Sequence, residues 1–148
     1  MTPTQFHALT GLSEAEGNQV LIEAFNKRMP VNTRLYLATA ELCKPVAFVE
    51  NRKRKALYDW PTRDLNLMAL IVGVMSPDEW LGYLDAMRRI GKAGTAPEQF
   101  YESPFWGLQD DWEYWLLTAD ALTRACAAIL ALKLGRTVSA GEADKETN

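Results

Sequence analysis

The sequence predicts a mainly α domain of the α+β class, with one small β-hairpin near residues 45–60. Three observations predict it. Apolar residues recur at helical spacing along most of the chain, and helix-start signatures punctuate it. Only the runs PVAFVE and KALYDW, either side of the polar NRKR, combine alternation with β-prone residues. A chain of 148 residues that is 48% hydrophobic suits one sizeable core. Residues 1–135 are therefore read as a single globular domain and 136–148, small and polar, as a flexible tail.

The first element follows from TPTQ at 2–5, which sets Thr at an N-cap, Pro at the first helical position and Gln three residues after the cap. A short helix to about Leu9, closed by Gly11, is expected. SEAE at 13–16 is a capping box, and Leu21, Ile22, Phe25 and Met29 share a face, so a second helix runs from about Glu14 to Arg28, with Glu23 and Lys27 one turn apart on its wet side. Pro30 ends it. TRLYLATAELCK at 33–44 fits both helix and strand; its low β-branched content favours helix. The hairpin of 45–60 comes next, and it needs helices to pack on, because a lone hairpin is marginal in water.

Thr62 is placed as an N-cap with Asp64 in the first turn, opening a helix 62–75 that is apolar on nearly all sides and so central. Ser76, Pro77 and Glu79 start another, with Trp80, Leu84 and Met87 inward and Gly91 closing it. Residues 92–110 read as short turns packed back on the core. A long helix from Asp110 or Asp111 to about Leu134 carries Trp112, Trp115, Leu116, Ala119, Leu122, Cys126, Ile129 and Leu130 in one stripe, capped by Gly135.

The usual catalytic kits are missing. There is no Gly-rich phosphate loop, no GxSxG, no HExxH, and a single histidine, His7. Asp59, Asp64, Asp110, Asp111, Glu113 and Asp120 are candidate acids or cation ligands, but most lie where helix starts favour negative charge, and Asp120 is one turn from Arg124. Cys43 and Cys126, far apart and with no CxxC, are expected reduced and buried, with neither a metal nor a cofactor implied. The N-terminus has no signal-peptide pattern, and Asp120 and Arg124 interrupt the most apolar segment, so a soluble, cytoplasmic protein without a membrane span is expected.

Charge is unevenly distributed within a formal net charge of −3. Basic residues dominate between Lys27 and Arg63 and peak at Arg52, Lys53, Arg54 and Lys55, read as a hairpin tip that either touches phosphate or is simply solvated. Residues 93–123 have acids and no Lys or Arg, interleaved with Phe100, Tyr101, Phe105, Trp106, Trp112, Tyr114 and Trp115. Acids steer encounter with a basic partner and buried rings supply binding energy, so Glu98, Glu102, Phe105, Trp106, Asp110 and Asp111 are the candidate protein-binding residues. The alternative is that the rings are core and the acids caps.

YDWPTRDLNLM from Tyr58, the SPDEW helix start and the final helix ending RACAAILALKLG resemble, over 58–135, small phage-encoded proteins of the ABA-sandwich type. There an aromatic-rich strand end leads into an Asp-apolar-Asn helix, and the chain closes on an Ala- and Leu-rich helix. The resemblance implies phage origin and a host-directed accessory role, and assigns no catalytic residue. Together these readings favour a non-enzymatic phage accessory protein in the cytoplasm of an infected host. It would bind a host protein with a basic surface, such as a CRISPR-type defence component, through its acidic aromatic surface. The alternative is a small nucleic-acid or nucleotide binder using residues 52–55. A second copy of the chain is a further candidate partner, because a helix as apolar as 65–75 suits a dimer interface as well as a core.

Overall fold

The computed structural model describes residues 1–41, 43–93 and 109–133, with side chains for 1–38, 43–91 and 114–133. The expectations for 94–108 and for the tail 136–148 lie outside these residues. Helices α1 (Pro3–Thr10) and α2 (Glu14–Arg28) are followed by strands β1 (Thr33–Glu41), β2 (Lys44–Glu50) and β3 (Lys53–Tyr58). A 3-10 turn at Pro61–Arg63 leads to α3 (Leu65–Val72), α4 (Pro77–Ala93), α5 (Gln109–Thr118) and α6 at 121–133. The fold is mainly helical α+β, as expected, with a small antiparallel sheet.

The first two helices start as read. Thr2 accepts from the Gln5 backbone N–H while Gln5 reaches back to Thr2, and Ser13 and Glu16 repeat the arrangement. Pro61 and Thr62 are buried under α2, where Asn18 Oδ1 accepts from the Thr62 backbone N–H at 3.0 Å and Glu14 accepts from the Thr62 hydroxyl at 2.8 Å. Thr62 is therefore part of the 3-10 turn, and the N-cap of α3 is Asp64, whose carboxylate accepts from Asn66 and Leu67. Both residues are good caps by type. The tertiary bonds of Thr62 decide between them.

Residues 33–41 are a strand, not the helix that propensity favoured. Three strands in the order β1-β2-β3 form a meander rather than a lone hairpin. Leu35 pairs with Phe48 and Leu37 with Val46 across β1 and β2, so these residues share one face, and Phe48 meets Phe25 of α2 edge-on with ring centroids 6.2 Å apart. Asn26 of α2 secures the strand: its Nδ2 donates to the Leu35 carbonyl at 3.0 Å and its Oδ1 accepts from the Leu35 N–H at 2.8 Å. One side-chain amide thus acts as a surrogate strand on the β1 edge. The β2–β3 turn is Asn51–Arg52, both with positive φ (52° and 64°), flanked by the Glu50–Lys53 pair. Lys53, Arg54 and Lys55 accordingly lie on β3 rather than at a hairpin tip.

The core centres on α6, where Ala125, Cys126, Ala127, Ala128 and Ile129 are wholly buried. Its small side chains let α4 approach, since a Cβ on Gly82 would sit 3.4 Å from Ala131 Cβ; Gly17 of α2 instead makes room for larger neighbours, a Cβ there sitting 2.6 Å from Phe6 Cζ and 3.1 Å from Ile129 Cδ1. Burial raises the Cys126 thiol to about 12, making it unreactive. Cys43, expected to be buried, is exposed in the β1–β2 turn with φ 63°, because Glu41 and Lys44 pair directly and leave only two residues to reverse the chain.

The expected single helix 111–134 is broken. Asp120 caps α6, accepting from the Thr123 N–H at 2.8 Å, and its other oxygen meets the Met1 amino group at 3.2 Å. It is not paired with Arg124, whose Nε donates to the Ala119 carbonyl at 3.0 Å. Two further expectations shift. Helix α4 runs past Gly91 to Ala93, and Gln19, not Lys27, bonds Glu23. No helix among the described residues is long and apolar enough to cross a membrane.

Asn26→Ala leaves both Leu35 backbone groups without their partner and should lower stability by about 2 kcal/mol in urea unfolding, whereas Gln19→Ala, which removes an exposed bond, should change it by less than about 0.5 kcal/mol. Gly17→Ala raises helix propensity by about 1 kcal/mol, yet should still lower the urea midpoint, because overpacking against the buried Phe6 ring costs about 1–3 kcal/mol.

A candidate protein-docking groove

Helix α4 begins at a third capping box, in which Ser76 N–H donates to Glu79 Oε1 at 3.0 Å and Glu79 N–H to Ser76 Oγ at 3.2 Å. Glu79 also pairs with Arg28 at the end of α2, joining the two helices. Burial by itself would raise the Glu79 carboxyl, but the Ser76 N–H and the Arg28 guanidinium outweigh it and hold the group below its ordinary 4.5.

The amphipathic pattern of α4 turns Tyr83, Ala86, Met87 and Ile90 into the core. Trp80, expected inward with Leu84 and Met87, lies instead at the surface, 42% exposed, stacked on Tyr83 with centroids 5.5 Å apart and planes 26° apart. One helical turn separates the two rings, so the buried Tyr83 supports the exposed Trp80. Helix α3 is also two-sided. It buries Leu67, Met68 and Ile71 and leaves Leu65 at the surface, so it is not enclosed on all sides.

Helix α5 divides the aromatic segment between core and solvent. Trp115 is half-buried, its indole N–H donating to the Met87 carbonyl at 2.9 Å. Tyr114 and Leu117 are 70% and 82% exposed. The question of core or surface thus has different answers for adjacent rings. Between α3, α4 and α5 lies a cavity of about 510 Å³ lined by Leu65, Met68, Ala69, Val72, Gly73, Trp80, Tyr83, Leu84, Leu116 and Arg124. A predominantly apolar lining of this size is suited to receiving apolar side chains.

Among the described residues of that lining, Arg124 is the charged one. It donates to the Ala119 and Leu116 carbonyls at the C-terminal end of α5, where helix carbonyls lack partners, and approaches the Tyr83 hydroxyl. Burial pushes the Tyr83 phenol above its usual range despite this cation. The guanidinium therefore fixes the α5–α6 corner.

Of the protein-binding residues expected from sequence, Glu98, Glu102, Phe105 and Trp106 lie outside the described residues. Asp110 and Asp111 fall on the first turn of α5, with side chains outside them. Sequence reading missed Leu65, Trp80, Leu81 and Leu117 as surface residues. Leu81 and Leu117 fall off the buried stripes of their helices, whereas Trp80 is in step with Tyr83, Met87 and Ile90 and Leu65 lies in an almost wholly apolar run, so periodicity gave no sign of the exposure of these two. Residues Arg52, Lys53, Arg54 and Lys55 are all exposed on or beside β3. His7 is exposed on α1, and no group of three or more His, Cys, Asp or Glu among the described residues is placed to hold a metal ion.

The groove is thus a largely apolar slot between α3, α4 and α5, with Arg124 of α6 at one side and exposed Leu65 and Trp80 in its lining, and with no nucleophile–base pair among its described lining residues. No family model, curated protein or solved structure matches the chain in comparisons with known proteins.

Proposed function

We propose that this chain is a non-enzymatic binding protein, a phage accessory factor that captures a host protein by seating an apolar segment of it in the α3–α4–α5 groove. The observation that carries the reading is that the groove lining itself includes exposed apolar side chains, Leu65 and Trp80, while Leu81, Tyr114 and Leu117 are exposed elsewhere on the same helices. Exposed apolar residues grouped around a slot, unlike scattered ones, mark interaction surfaces.

Charge supplies the partner's chemistry. Residues 93–123, which include α5, contain Glu98, Glu102, Asp110, Asp111, Glu113 and Asp120 and no Lys or Arg. An apolar anchor flanked by basic residues complements such a surface, the acids accelerating encounter and the anchor slowing release. Host proteins that handle nucleic acid carry basic surfaces, and a CRISPR-type defence component is the class we favour, in the cytoplasm of the infected cell. Trp80, held by its stack on Tyr83, is the expected hot spot, since a preorganised aromatic loses little entropy on binding.

The test is affinity capture from a bacterial lysate treated with nuclease, followed by titration of the captured protein. Trp80→Ala and Leu117→Glu should each weaken binding by about 2 kcal/mol, roughly 30-fold, and replacing Glu98, Glu102, Asp110 and Asp111 with Ala should slow association most at low salt, all while each variant still unfolds cooperatively in urea. A partner retained equally by all three variants overturns the reading. Sedimentation showing a dimer that Leu117→Glu dissolves would make a second copy the occupant and overturn it too.

Glu79 provides a separate check on the α4 framework. Its folded pKa lies below the unfolded value, so it contributes stability that is present above the unfolded value and lost as pH falls through the folded one. Glu79→Gln should therefore be less stable than the parent at pH 7. In acid denaturation scans the gap should close as pH falls from about 5 to about 3.

A further inference from the structure

The groove leaves unexplained the other face of the sheet. Register defines that face: Arg34, Val49 and Arg54 form one cross-strand row, and Tyr36, Ala47 and Leu57 the next. Cross-strand partners share a face, so these residues point away from the side on which Phe48 meets α2. Ala47 is small and 4% exposed, lying between Tyr36 and Leu57 in its row, while Tyr36 is 53% exposed. Beside that ring is a cleft of about 450 Å³ lined by Val31, Asn32, Tyr36, Val49 and Arg52. Cations lie at the β2–β3 turn and along β3, with β2 between them and Tyr36 on β1. Arg52 sits in the tight turn, while Arg54 and Lys55 are exposed on β3, Lys55 being the extra residue of the irregularity opposite Phe48–Val49. Arg34 Nη1 donates to the Met29 and Thr33 carbonyls and serves the turn that enters β1.

We propose that this outer face binds single-stranded nucleic acid, with a base stacked on Tyr36 in the cleft and the adjoining phosphates met by Arg52, Arg54 and Lys55. An exposed ring beside an arginine-lined slot, on a rigid sheet bordered by cations, combines the two features that sequence-tolerant single-strand binding uses. An acidic protein would be met by the charges alone and would have no use for the slot. Paired bases in a duplex cannot present their flat faces to one tyrosine.

The test uses the full chain and fluorescently labelled single-stranded RNA and DNA of about 12 nucleotides, read by anisotropy between about 50 and 200 mM salt. Binding should weaken with salt. Tyr36→Ala should reduce affinity roughly 5- to 100-fold at fixed salt and leave the slope of log affinity against log salt unchanged. Tyr36→Phe should retain binding, which separates loss of the ring from loss of fold. Joint replacement of Arg52 and Arg54 by Ala should shrink the slope by roughly 1.4, because each phosphate contact in a single strand contributes about 0.7. Leu117→Glu should bind like the parent, so failure of this inference is distinguishable from failure of the groove. No binding at about 50 mM salt, equal affinity for a duplex of the same length, displacement by polyglutamate at matched charge, or indifference to Tyr36→Ala would each overturn it.

Discussion

The structure depends on a row of polar side chains along helix α2 that hold the backbone on either side of the sheet. Asn26 bonds both backbone groups of Leu35, and Asn18, two turns earlier on the same side, accepts from the Thr62 N–H. Glu14, a turn before that, accepts from the Thr62 hydroxyl and the Arg63 guanidinium. The meander between residues 33 and 58 is thus tied to one helix at both ends. A three-stranded sheet has too little face to be stable alone, and this fastening makes it part of the domain. The same bonds fix where the chain leaves the sheet, hence where Asp64 caps α3 and where the groove can form. Asn18 is buried and Asn26 half-buried, and such bonds are specific because an alternative register leaves the backbone groups they satisfy without partners.

This arrangement also explains which parts of the fold could be read from the chain. The three capping boxes at Thr2, Ser13 and Ser76 are local, each complete within four residues, and each is present as spaced. Residues 33–41 were not legible, because Leu35, Thr39 and Leu42 satisfy a helical period while Leu35, Leu37 and Thr39 satisfy a pleated one. The deciding contacts come from β2 and the Asn26 amide, neither of which a local window contains. Asp120 illustrates a related limit. Four residues from Arg124 it looks like a salt bridge on a continuous helix, but a carboxylate that caps a new helix start and meets the Met1 amine has better partners. The stripe from Trp115 to Leu130 remained regular across the break, so periodicity gave no sign of it.

The proposed contact surfaces divide along the same line. The acidic bias of 93–123 and the basic peak at 52–55 are compositional and visible at once. The groove is not, since Leu65, Trp80 and Leu116 lie on separate helices and only packing brings them together. Tyr36 and Val49 become neighbours of Arg52 only through strand register, which shifts by whole side-chain faces with a slip of one residue. Arginine also proves ambiguous by composition. Arg34 and Arg124 have the residue type of a binding cation and the contacts of a structural one, each turned onto backbone carbonyls.

The alanine-rich helix at the centre constrains how this chain can vary. Most cores are defended against losing volume, but Ala125, Ala127, Ala128 and Ala131 have almost none to lose. Here the vulnerable direction is growth, since each added methyl would push apart helices whose backbones nearly touch. Drift at Ala125, Ala127, Ala128 and Ala131 is therefore confined to the smallest residues, so the close approach of the helices packed on α6 is fixed by what these four positions lack.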